Sequence, residues 1–320
     1  LDEGVILDDG DEYYIQQGVF LIQDPEETLN HIGSTLKLNL VDKWANLDGT
    51  LFGNLEGTHE VPVNTNIFEP IRDLLIEDKG NGYPIDNVTP IFTDYYNDKT
   101  QVLPDGTTAS LVKSPYTLTV DSGTVADVIL GMNTMVNGMI GYDESGALRL
   151  DPSQDDILDI TKPVVWTFSM QDVELLNLAY TSQNTKVYND YIIIGETLDD
   201  NSQPKGRAQN YDPKSPTNIN LIGRKTFREQ NNSFYTDTQC QDMAEWKLKR
   251  ATVLQKAVNV SCSQILHIKE NSLIEIVRTD KEGSPVERHL VQGFSRPLAT
   301  TGNMTISAIS VADWNNITIS

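Results

Sequence analysis

One arrangement occurs twice in this chain and constrains its fold more than any other feature. Near the start, Ile15-Gln16-Gln17-Gly18-Val19 precedes an alternating segment that begins Thr35-Leu36, and then Val41-Asp42-Lys43-Trp44-Ala45-Asn46-Leu47. Near the end, Leu290-Val291-Gln292-Gly293-Phe294 precedes an alternating segment that begins Thr305-Ile306, and then Val311-Ala312-Asp313-Trp314-Asn315-Asn316-Ile317. The order is the same; only the intervening loop length differs. A strand carrying a glycine, a loop, a strand with one apolar face and a tryptophan would build the same corner of a small barrel twice. Glycine permits a bulge or tight coil where a sheet closes. Tryptophan supplies a large apolar plug whose indole N–H can reach a carbonyl at the rim. Gly18, Trp44, Gly293 and Trp314 are read as the anchors of this repeat; the alternative is a chance likeness between short windows.

The rest of the chain is consistent with strands punctuated by a few helices. Tyr13 to Ile22 mixes aromatic and β-branched residues around Gly18, and Ser34 to Leu40 alternates Leu36, Leu38 and Leu40 with Lys37 and Asn39, the mark of a half-buried strand. Ile67, Ile71, Leu74 and Leu75 share one face of a short helix that begins near Pro70. Asn81 to Ser114 reads as loop-rich. Thr124 with Asp127 forms a capping-box pattern ahead of Val125, Val128, Ile129, Met132, Val136 and Met139 at helical spacing. Residues 140–150 then read as a hairpin turning at Asp143 to Gly146. Val164 to Phe168 and Val187 to Ile194 read as strands, the second apolar on both faces and so central. The polar stretch 197–234, with Pro204, Pro213 and Pro216, reads as one long loop, a kind of segment that usually meets a partner or lines a surface. A third helix follows over 236–251, capped by Thr236 and Gln239 and burying Cys240, Met243, Ala244 and Leu248. A terminal β meander completes the chain.

Of the 320 residues, 38% are hydrophobic, a low share for one large core and suited to several small β-rich units. The fold expected is α+β, mainly β, with two tube-like antiparallel β-barrel domains and α/β segments between them. The first barrel part spans 1–62 and an α/β middle region spans 63–155. The second barrel part spans 156–320, with the loop 197–234 and the helix 236–251 inserted. Acidic residues number 46 against 24 basic, a formal charge of −22, which argues against binding nucleic acid by neutralising phosphates or docking on an anionic membrane. No apolar run approaches the ~18 residues of a membrane span. Cys240 and Cys262 read as small buried hydrophobes.

Signals for chemistry are weak. His31, His59, His267 and His289 form no metal-ligand spacing, and no nucleophile-elbow, zincin, Walker or dinucleotide-binding pattern occurs. Asp8 to Glu12, Asp155-Asp156 and Asp199-Asp200 read as solvated acidic turns. A spatial pair of glycosidase carboxylates is a further alternative that spacing alone does not address. No metal, cofactor or catalytic residue is expected. The one basic cluster, Arg224, Lys225 and Arg228 with Lys247, Lys249 and Arg250, is either a solvated face or a contact with an acidic neighbouring subunit. Of these, Arg224, Lys225, Arg228, Lys247 and Arg250 are the candidate subunit contacts.

Seven segments stand in a recognisable order: Trp44-Ala45-Asn46-Leu47-Asp48-Gly49, Asn66 to Leu75, Thr124 to Gly138, Lys186 to Gly195, Arg207-Ala208, Ile222-Gly223-Arg224-Lys225 and the helix from Thr236. On these the chain resembles the hub proteins of phage baseplates and tail tips, in contractile tails, siphophages and prophages. It covers most of the chain, in soft patterns. It implies a non-enzymatic protein of the virion tail, present in the host cytoplasm during assembly, whose two barrels in three copies match a sixfold tail tube. The implied partners are the tail tube or distal tail protein, the tape measure, and receptor-binding or tip proteins. DNA would pass through without specific binding, and no membrane is involved. Many relatives continue into a lysin or receptor-binding part; this sequence stops at Ser320, so no lytic activity is expected. The competing reading is a carbohydrate-binding or adhesion β module, which a surface cluster of Tyr95, Tyr96 and Tyr116 would favour.

Overall fold

Strand predominates over helix, 42% against 17%. The computed structural model describes residues 1–6, 9–76, 85–103, 105–152, 163–182, 187–198, 201–213, 215–252, 256–297 and 302–311. Contacts divide the chain into two units, Leu1–Pro152 and Ser153–Ser320. The boundary expected near residue 155, and Trp314, lie outside the described residues.

In the first unit β1 (Asp2–Ile6) pairs antiparallel with β2 (Glu12–Gln16), and β3 (Phe20–Asn30) with β4 (Gly33–Asp42). A bulge interrupts β3 between Gln23 and Glu26, where Pro25 has no N–H to give to a ladder. Short pairings follow. β5 (His59–Val61) pairs with β9 (Leu118–Val120), and β7 (Thr100–Val102) with β8 (Thr108–Ser110). β6 (Ile91–Phe92) runs parallel to β11 (Leu148–Pro152), which forms the expected hairpin with β10 (Gly138–Tyr142).

The core of this unit gathers around α1 (Phe68–Ile76) and α2 (Val125–Val136). Ile71, Leu74 and Leu75 of α1 and Val128, Ile129 and Met132 of α2 are buried together with Leu47, Tyr96, Leu148 and Leu150. The capping box at α2 forms as the spacing requires: Thr124 Oγ1 accepts from the Asp127 N–H at 3.2 Å, and Asp127 Oδ2 accepts from the Thr124 N–H at 2.8 Å. Asn137, at φ 49°, ends the helix in the left-handed region. Trp44 sits on a short 3-10 turn, Lys43–Asn46, half-buried against this core. Beside it the Lys43 ammonium is buried. It donates to Asp86 Oδ1 at 2.5 Å and to the Gly146 carbonyl at 2.8 Å, and lies 5.1 Å from the Tyr142 ring centre. Burial and the Asp86 carboxylate push the Tyr142 phenol far above its ordinary pKa.

The second unit is built on a six-stranded sheet that curls into a half-barrel. Its strands are β12 (Val164–Ser169), β13 (Leu175–Ser182), β17 (Lys256–Cys262), β18 (Leu273–Val277), β19 (Val286–Ser295) and β20 (Met304–Ser310), in the order β12-β18-β19-β20-β17-β13. All neighbours are antiparallel except β12 and β18. One face buries Phe168, Val258, Val260, Ile274, Ile276, Val291, Met304 and Ile306, with Cys262 among them. A bulge lies between Val291 and Gly293, where β19 and β20 shift register. Three further strands, β14 (Asp190–Ile194), β15 (Lys205–Gln209) and β16 (Thr226–Gln230), form a separate sheet in which β14 is central, with β15 antiparallel and β16 parallel to it. A single turn, α3 (Ile219–Ile222), precedes β16, and α4 (Asp237–Thr252) packs on this sheet.

Candidate functional site

The sheet backed by α4 gathers most of the cationic groups singled out above. Tyr191 and Ile193 of β14, Ala208 of β15 and Phe227 of β16 face Cys240, Ala244 and Leu248 of the helix. Approach is close: a Cβ at Gly206 would lie 2.2 Å from the Cys240 carbonyl carbon, so only glycine admits the helix there. Thr236 and Gln239 cap α4 reciprocally, each accepting from the other's N–H at 3.2 Å. Burial pushes the Cys240 thiol up to about 12 and the Cys262 thiol to about 11, so both stay protonated and unreactive at neutral pH.

Because strand side chains alternate, the face away from α4 carries Asp190, Ile192 and Ile194, flanked by Lys205, Arg207 and Gln209 on one side and Thr226, Arg228 and Gln230 on the other. Asp190 is fully buried and organises one end. It accepts a bidentate pair from Arg207 at 2.9 Å each and a third bond from Thr226 Oγ1 at 2.7 Å, with Arg224 Nε at 3.9 Å. Burial works to raise its pKa, but the hydrogen bonds from Arg207 and Thr226 outweigh that and hold the carboxyl below its ordinary value. The neighbouring Asn189 is used in full. Its N–H donates to the Lys225 carbonyl at 3.1 Å, its Oδ1 accepts from the Lys225 N–H at 2.7 Å, and its Nδ2 donates to the carbonyls of Thr217 and Gly223 at 3.0 and 2.8 Å. Asn210 Nδ2 adds bonds to Ser215 Oγ and Thr217 Oγ1 at 2.7 and 2.8 Å.

The candidate contact residues divide between two faces. Arg228 is exposed on the face away from the helix, and Arg224, half-exposed, approaches Asp190. Lys225 is exposed, and its backbone clasps Asn189. Lys247 lies on the helix side, paired with Glu229 and 5.8 Å from the Phe227 ring centre; Arg250 stacks on Trp246 at 4.7 Å. Lys205 and Arg207, which join Arg228 on one face, were missed because 197–234 reads as a loop. That stretch instead contains β15, α3 and β16. A buried Asp beside an all-apolar strand was the available signal that a cation must pair with it.

A second open surface lies in the first unit. Cross-strand partners share a face, so Phe20, Ile22 and Leu29 of β3 stand with Leu36, Leu38 and Leu40 of β4. Ile22 is 59% exposed, Leu36 61% and Leu29 72%, and Ile32 at the turn is 88% exposed. The two anchor glycines occupy different local settings. Gly18 is buried between β2 and β3, where a Cβ would meet the Phe20 ring at 2.7 Å, while Gly293 lies within β19 after its bulge. The aromatic platform that an adhesion module needs is not formed by the residues named for it. Tyr96 is 2% exposed in the core, Tyr95 packs edge-on against it at 5.2 Å, and Tyr116 is half-buried beside the same cluster. Among the described residues no group of three or more His, Cys, Asp or Glu is placed to hold a metal ion, and no helix is long and apolar enough to cross a membrane.

No protein-family model and no curated protein matches the chain. Solved structures do match. The tail protein from Neisseria meningitidis MC58 superposes with a TM-score of 0.57 at 10% identity, covering 94% of this chain and 81% of that one. Prophage tail protein gp18 from Listeria monocytogenes EGD-e gives 0.56 at 7% identity over 93% and 78% of the two chains. The 43 kDa tail protein of prophage MuSo2 from Shewanella oneidensis gives 0.53 at 11% identity over the same shares, 93% and 78%. The fold is that of prophage tail proteins.

Proposed function

We propose that this chain is a structural baseplate or tail-tip hub of a tailed bacteriophage, closing the tail tube and forming, as a ring-shaped trimer, the conduit through which DNA leaves. The observation that carries this reading is a fold shared with three prophage tail proteins over at least 93% of the chain. Two tube-like β units per chain, in three copies, supply six-way symmetry to match a hexameric tube. The open apolar face of the β3–β4 hairpin supports an assembling role. A two-stranded ribbon is marginal by itself, and an uncovered apolar stripe is a surface that a neighbour completes. The net charge of −22 suits a lumen that repels phosphate, so that DNA slides without binding.

The role is structural and not catalytic. The partners are the tail tube or distal tail protein, the tape measure, and receptor-binding or tip proteins. Immunogold labelling of virions with antibody to this chain should mark the distal end of the tail, and electron microscopy of the purified chain with its tail partners should show rings with an open centre. Label on the capsid, or assemblies without a central opening, would overturn the reading.

A further inference from the structure

The formal charge is divided unevenly between the two units. Leu1–Pro152 holds 26 Asp and Glu against 7 Lys and Arg, net −19, whereas Ser153–Ser320 holds 20 against 17, net −3. Within the near-neutral unit, the face of the three-stranded sheet away from α4 presents Lys205, Arg207 and Arg228 around the half-buried Ile192. The acid on that face, Asp190, is buried and already paired. Arginine around an apolar centre is the composition of a protein contact surface.

We propose that this face docks on the acidic N-terminal unit of a second copy of the chain, so that copies associate head to tail. Charge complementarity names the occupant: the N-terminal unit of the chain itself carries a net charge of −19, and this exposed basic face is on the other unit. A contact between two different patches is heterologous, the kind that closes into a ring when its rotation permits. Opposite charge across it would steer encounter and set register. Nucleic acid is the weaker occupant, because three cations neutralise few phosphates and the remainder of the chain repels them. The inference rests on the ring reading above and says which surface makes the ring.

The test is sedimentation velocity of the full chain at rising concentration, in about 50 mM and about 500 mM salt. The wild type should gain mass with concentration at low salt and lose it at high salt. The double variant Lys205→Glu/Arg228→Glu should associate about tenfold more weakly or worse, a loss that reversing two exposed charges at an electrostatic contact can produce. It leaves the Arg207–Asp190 pair intact, so its thermal melt should match the wild type. The milder Lys205→Gln/Arg228→Gln should lose less in the same direction. A wild type that stays monomeric at every concentration overturns the proposal, as does association indifferent to salt or to both double variants. So does loss of duplex DNA binding in the variants with no change in mass. Rings that still form in the double variants would remove this docking surface and leave the hub reading standing.

Discussion

The β3–β4 hairpin and the six-stranded sheet of the second unit carry the same alternating pattern and end in opposite conditions. In the sheet, Val258, Val260, Ile274, Ile276 and Ile306 are completely buried. In the hairpin, Ile22, Leu36, Leu38 and Leu40 stand on one face just as regularly and remain 41–61% exposed. Alternation decides which face is apolar, because the side-chain period of a strand is two. Whether the face is covered depends on how many strands share it and whether the sheet curls over it. The six-stranded sheet curls around its apolar side, and Ile265 and Ile268 of the segment after β17 pack against it; two strands have no such cover. The hairpin therefore bears a pattern whose complement is not in its own ribbon.

That comparison can be broken most sharply in the sheet. Ile306→Ala removes a fully buried side chain from its centre and should cost about 3 kcal/mol, read as a lower urea midpoint. A change of only a few tenths would mean that the half-barrel core is as loosely held as the hairpin. Next comes the polar anchor of the three-stranded sheet. Arg207→Ala strands the buried Asp190 carboxylate and should cost about 2 kcal/mol, less than for a fully buried pair because Arg207 is itself half-exposed. The pH dependence follows from the sign of the shift. Folding holds the Asp190 carboxyl below its ordinary value. Its contribution is therefore complete above about pH 4 and is lost as pH falls through the lower native value. The melting advantage of the wild type over Asp190→Asn should shrink between pH 7 and about pH 3; an advantage that stays constant would show that the carboxylate charge is not what stabilises the sheet.

The smallest effect on stability is expected in the hairpin, and it sharpens the contrast. Leu36→Ser and Leu38→Ser should each change unfolding by less than about 1 kcal/mol, as exposed positions do. Both should lower the binding of a hydrophobic dye and weaken the assembly proposed above. Hairpin variants that unfold the chain as Ile306→Ala does would show that the stripe supports its own unit instead of a partner.

Much of this was legible in the residues themselves. The capping boxes at Thr124 and Thr236, the buried stripe of α4, the hairpin turn at Asp143 to Gly146 and the central place of β14 all follow from periodicity and local chemistry, which act over a few residues and so are written in order along the chain; Met139, expected on the helix, falls instead in β10 because Asn137 ends α2. The segment 197–234 was not legible. Its prolines and asparagines look like loop composition, yet the Asn189 side chain ties the Thr217, Gly223 and Lys225 backbone groups to the start of β14, and Asn210 bonds the Ser215 and Thr217 hydroxyls, as β15 and β16 flank β14. The grouping of Lys205, Arg207 and Arg228 on one face was hidden with them.

By itself, the order of residues determined the strand-rich class, which faces are apolar, where α2 and α4 start, the large acidic excess and the likeness to phage tail proteins. Only the tertiary structure decided which of those faces is covered, that the basic residues divide between the two sides of one sheet, and that a single buried carboxylate holds one end of it. The physical reason is range. Caps and alternation are set by neighbours in sequence, whereas burial and ion pairing depend on which distant strands come to lie side by side, such as Asp190 and Arg207 across β14 and β15.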